Sequence, residues 1–158
     1  MSEQFGLQGV DELVGKLSSI TYDAKFKGGK LALKRAANFI ADKARQYQKE
    51  HIDDTKTPNA IYKNIKVQFG KKRFESTGDL MFRIGVQGGA ILKINFKPGT
   101  GGYTFYWRFI EFGTEKVDAH PFMRPALQNN DFKAAGIFIH EYKQAINRAI
   151  KKSRRYYK

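Results

Sequence analysis

Apolar positions recur with two different periods along this chain. In residues 30–48, Leu33, Ala36, Ala37, Ile40, Ala44 and Tyr47 share one helical face, while Lys34, Arg35, Asp42, Lys43 and Arg45 occupy the other. A shorter set, Val10, Leu13, Val14 and Leu17, predicts an earlier helix entered through Gly9. Pro58, in the turn-rich run "HIDDTKTPNA", suits the first turn of a short helix. The period then falls to two. Ile65, Val67 and Phe69 alternate with polar residues, then Leu80, Phe82, Ile84 and Val86, then Leu92, Ile94 and Phe96. These predict three antiparallel strands, separated by the turn signals "GKKRFESTGD" and "QGG". The aromatic run "YTFYWRFIEF" fits a fourth strand or a short helix, and the Gly113 after it suits a helix end or a positive-φ turn. Past a proline-rich stretch, Phe132, Ala135, Ile139, Tyr142, Ile146 and Ile150 recur at steps of three and four and predict a long C-terminal helix.

The expected fold is α+β: a small antiparallel sheet of three to four strands packed against two N-terminal helices and the long C-terminal one. With 158 residues and no internal repeat, the chain reads as a single domain over 1–158, with a basic C-terminal tail at 151–158. A domain of that size buries roughly 68–70% of its unfolded surface and needs no covalent staple. It has none, because cysteine is absent, which also excludes thiolate metal sites. No run approaches the ~18 apolar residues of a membrane span, and "MSEQFG" lacks the basic start and apolar stretch of a signal peptide. The expectation is a protein of the cytoplasm or of a particle assembled there, with no membrane partner.

Charge changes the picture most. Lys and Arg number 29 against 15 Asp and Glu, a formal net charge of +14, which calls for a polyanionic partner. Residues 25–35 carry Lys25, Lys27, Lys30, Lys34 and Arg35 and no acid. Residues 148–158 carry Arg148, Lys151, Lys152, Arg154, Arg155 and Lys158, again without an acid and interleaved with Tyr156 and Tyr157. "KKR" at 71–73 is a third cluster. Such runs often form no more than a solvated face. As contacts, Lys151, Lys152, Arg154, Arg155 and Lys158 suit either the phosphates of duplex DNA, without sequence preference, or an acidic face of a neighbouring protein. The acidic face is slightly preferred, because a strongly cationic channel lining would hold DNA in place.

Catalytic chemistry finds little support. His51, His120 and His140 have no metal-ligand spacing, and Asp53-Asp54 reads as a turn former. "KPGTGG" lacks the order of a phosphate-binding loop, and no nucleophile elbow is present. No cofactor, metal or small-molecule substrate is expected, and the chain does not read as an enzyme. Glu111 is the acid of interest, flanked by Phe109, Ile110 and Phe112. A carboxylate in that company needs hydrogen bonds or a cation. The plain reading gives it the N–H groups of the Gly113-Thr114 turn, or Arg108 or Arg124. The sharper reading makes it a general acid, for which no second catalytic group is in view.

The stretch "YWRFIEFGT", followed shortly by "HPFMRPAL", resembles the signature of the neck and tail-completion proteins of tailed bacteriophages, the minor tail component of lambda-like siphophages. "FGLQGVDELVGKL" and "LALKRAANFIADKARQY" resemble that family's first two helices, and "FRIGVQGG" the strand before its aromatic segment. "DDTKTPNAIYKNIKV" resembles a segment in which the family carries a Thr-Gly and a Ser that are missing here. The likeness runs from about residue 5 to 150.

The resemblance implies a virion structural protein, put together in the host cytoplasm and acting in tail completion and head–tail joining. It would sit in a ring around the DNA channel with copies of itself and neighbouring neck and tail proteins. Its motif maps onto Glu111, Phe112, Gly113, Thr114, His120, Pro121, Phe122, Arg124, Pro125 and Ala126. These residues read as a rigid elbow that sets the docking angle of one subunit on the next, with Phe122 and Met123 anchored in the core and Arg124 bound to Glu111 or to carbonyls. Substituting Glu111 or Arg124 is then expected to harm assembly more than folding. The competing readings are a sequence-independent nucleic-acid-binding module, a ring that terminates the tail tube and, well behind these, a hydrolase built on Glu111.

Overall fold

The structure, a computed structural model, describes residues 18, 22–51, 60–87 and 104–155. The 30–48 pattern forms α1 (Gly29–His51), entered through a π-helical turn at Asp23–Gly28. There follow α2 (Ile61–Asn64), β1 (Ile65–Phe69), α3 (Lys71–Thr77), β2 (Phe82–Val86), α4 (Trp107–Phe112), α5 (Met123–Gln128) and α6 (Asp131–Arg155).

The frame is α1 against α6. Small residues on α1, among them Ala32 and Ala36, are buried and allow close approach. The two helices run antiparallel. Asn129, just before α6, donates to the Tyr47 hydroxyl (3.4 Å), Arg35 pairs with Glu141, and Leu31 shares a groove with Ala145.

On the other side of α1 lies the hairpin of β1 and β2, antiparallel with Ile65 opposite Val86, Val67 opposite Ile84 and Phe69 opposite Phe82. Those pairs lie on one face, while Lys66 and Gln68 are exposed, so the period of two does select the buried side. A lone two-stranded hairpin is marginal in water. Here it rests on the core of Ala41, Ala44, Ile61, Ile65, Phe122 and Ala126. Arg45 also reaches from α1 to donate to the Ile65 carbonyl (2.7 Å).

The fold is mixed helix and strand as expected, and the described residues form two strands of the sheet. Of the two readings of the "YTFYWRFIEF" run, strand or short helix, the structure has the helix, α4. The stretch with Leu92, Ile94 and Phe96 lies outside the described residues, as does the helix expected at 10–17.

"GKKRFESTGD" is not a simple turn but holds α3, which has no buried residue. Gly78, at φ 74°, closes that helix by donating to the Phe74 carbonyl. The long C-terminal helix is present and runs on to Arg155, through most of the expected tail. Its packing face matches the expected one only in part: Tyr142 and Ile146 are half-buried, together with Ile137, Phe138, Ala145 and Ala149, whereas Phe132, Ala135, Ile139 and Ile150 are exposed.

Candidate functional site

The signature stretch folds into two short helices whose ends meet. A buried hydrogen bond from Asn64 Nδ2 to Thr104 Oγ1 (2.9 Å) fixes the approach to α4, and Trp107 N–H then donates to the Thr104 carbonyl. Six residues later the chain must reverse. Gly113 does this at φ 74° and ψ 178°, a region essentially closed to other residues. A Cβ there would lie 3.0 Å from the Ala119 nitrogen and 3.1 Å from the Val117 carbonyl oxygen. Thr114 and Val117 then bridge across a tight turn, and the chain runs back past α4 into α5.

Glu111 lies at the centre of this elbow and is 1% exposed. Its Oε2 accepts from the backbone N–H groups of Phe122 (2.8 Å) and Met123 (2.9 Å). Its Oε1 accepts from Arg124 N–H (3.0 Å) and from Arg124 Nε (3.4 Å). A helix leaves its first N–H groups without internal partners. In α5 those belong to Phe122, Met123, Arg124 and residue 125. Glu111 takes the first three, and residue 125 is Pro125, which has no N–H to leave stranded. One carboxylate and one proline thus settle the whole helix start.

The opposite end is settled in return. The last carbonyls of α4 are the complementary orphans. Phe109 accepts from Gly113 N–H (2.8 Å), Ile110 from His120 N–H (2.8 Å), and Glu111 from Arg124 Nη2 (2.7 Å). Each of the pair Glu111 and Arg124 therefore caps the helix on which the other sits. The Arg124 guanidinium also lies 5.2 Å from the centre of the Phe112 ring.

Most of the expected motif converges on this clasp. Phe122 and Ala126 are fully buried, Met123 and Pro125 half-buried, and Thr114, His120 and Pro121 exposed around the turn. Glu111 does use backbone donors and Arg124, but the donors come from the start of α5 rather than from the Gly113-Thr114 turn. Arg108 is not its partner and lies 5.7 Å from the centre of the Trp107 ring. Lys151 and Lys152 are exposed near the far end of α6, and Arg154 and Arg155 form its last turn. Lys158 lies outside the described residues.

Sequence reasoning missed what the elbow displays. Phe105, Phe109 and Phe112, spaced by four and then three, are 45%, 52% and 64% exposed. That spacing was the available signal, masked by reading the run as either strand or helix. Phe132 and Ile139 on α6 form a second uncovered apolar stripe, with Phe132 88% exposed. With its four acceptor contacts inside the clasp, Glu111 is engaged as an anchor. Among the described residues no three of His, Cys, Asp and Glu gather to hold a metal ion.

Residues 11–113 match the family model described as "Bacteriophage HK97-gp10, putative tail-component". The chain belongs to this HK97-gp10-like family of phage tail components. The matched stretch reaches Glu111 and Gly113 and stops before Arg124. No curated protein and no solved structure matches the chain. A tail component is part of the virion, and no helix of the described residues is long and apolar enough to cross a membrane.

Proposed function

We propose that this tail component acts in the neck of the virion, in tail completion and head–tail joining, seated with copies of itself in a ring around the DNA channel. The observation that carries the proposal is the exposed apolar surface: Phe109 and Phe112 on α4, and Phe132 and Ile139 on α6. Exposed apolar patches of this kind mark contact sites with other proteins. Two unlike patches on one chain suit a head-to-tail contact, and repeated head-to-tail contacts form a ring when the rotation from one subunit to the next closes on itself. The clasp supplies what a ring requires besides adhesion, a fixed angle, because both ends of the turn are tied by hydrogen bonds.

Electron microscopy of lysates from the phage with this gene deleted tests the role. Full heads beside separate tails of normal length are expected. Overlong tails would assign the chain instead to the ring that terminates the tail tube, and normal infectious particles would overturn the assembly role altogether.

A further inference from the structure

Two basic runs that lie more than a hundred residues apart in the sequence meet in space. The antiparallel packing of α1 on α6 sets the start of one beside the end of the other. There Lys27, Arg148 and Lys152 border a shallow groove floored by Leu31, Ala145 and Ala149. Residues 24–35 and 142–155 contain Lys and Arg but no Asp or Glu, Asp23 being the acid that precedes the first run. The acids within the two helices, Asp42, Glu50, Asp131 and Glu141, all lie closer to the elbow end. Charge is therefore sorted along the helix pair, with its cations concentrated at one pole.

We propose that this pole binds the phosphate backbone of duplex DNA without regard to sequence. The proposal does not depend on the assembly role given above. Protein–DNA interfaces are far more positively charged than protein–protein interfaces, whose centres are poor in Lys. A groove bordered by Lys27, Lys152 and Arg148 is of the first kind. Among the described residues the groove lining carries no aromatic ring on which an unpaired base would stack, which favours a duplex over a single strand. Purely electrostatic contact with phosphates also lets a protein slide and hop along DNA. A cationic pole is thus compatible with DNA that has to move.

The experiment is fluorescence anisotropy of a labelled mixed-sequence duplex of about 30 base pairs, titrated with the full chain between about 50 and 200 mM NaCl. If about five phosphates are neutralised, the binding constant falls with a log–log salt slope of about −4 to −5, or several-hundred-fold across that range. The triple variant R148Q/K151Q/K152Q is expected to flatten the slope by about 3 and K25Q/K27Q by about 2, since each lost phosphate contact removes about 0.9. K49Q/K63Q/K66Q, which removes as much charge near the other end of α1, is expected to leave the slope within about 0.5 of the wild-type value. Equal flattening in the two triple variants, or no binding at the lowest salt, would overturn the proposal. So would tighter binding of poly-L-glutamate than of the duplex, which would give the pole to an acidic polypeptide.

Discussion

Glu111 stands between phenylalanines in the sequence and between two helix ends in space. Its burial alters what its substitution will do. Beside the expected harm to assembly, loss of Glu111 should also weaken folding, because three backbone N–H groups lose their acceptor. Glu111→Gln keeps the shape but turns an amide donor toward those N–H groups. It should lower stability by about 1.5–3 kcal/mol, measured by urea denaturation, the range for a hydrogen bond to a charged group. Arg124, whose side chain is half exposed, should cost about 1 kcal/mol or less on replacement by Ala. Gly113→Ala should cost about 1–3 kcal/mol, since no other residue settles at its φ and ψ without strain. Wild-type stability in all three variants would dismiss the clasp.

Between elements, the tie that responds to pH joins the two long helices. The hydrogen bond from Arg35, aided by its charge and those of His140 and Arg148, lowers the Glu141 pKa below the ordinary carboxylate value, against a smaller desolvation effect that raises it. A group whose folded-state pKa is depressed stabilises above its unfolded pKa, and that contribution disappears as pH falls through the folded value. Glu141→Gln should therefore melt below wild type at pH 7, and the two melting curves should draw together as pH drops below about 4. A deficit independent of pH would show that packing, not charge, joins α1 to α6 there. Elements held by periodic burial were the legible ones. The steps of α1 and the alternation in β1 and β2 announce their faces because one side of each must leave water. By contrast, α3 is held by local devices, the Lys71–Glu75 pair and the Gly78 cap, with only Phe74 packed against Phe69 and Phe26. The α6 pattern located the helix and part of its face: Tyr142 and Ile146 are half-buried, but Phe132 and Ile139 are apolar and exposed. Within the elbow, the partners of Glu111 are 11 to 13 residues away, a separation that no local pattern reveals.

For the whole molecule, the core and the proposed docking surface use different aromatic residues, so folding and assembly can be tested separately. Phe122 is in the core, whereas Phe109 and Phe112 are more than half exposed. The double variant Phe109→Ser/Phe112→Ser should keep its urea midpoint within the ±0.5 kcal/mol usual for surface changes. Supplied to the deletion phage, it should nonetheless fail to restore joined particles. Full rescue would mean that this aromatic row contacts nothing needed for assembly. The elbow and the cationic pole stand at the two ends of α6, whose 25 residues at 1.5 Å per residue set them about 37 Å apart. A helix links length to rotation, so α6 is a ruler that is also a screw. One inserted residue would move the far end by only about 1.5 Å but turn it by about 100°, and about seven are needed before it faces nearly the same way again. The reach of this protein and the direction in which its far end points therefore cannot drift independently; they change together, in whole turns.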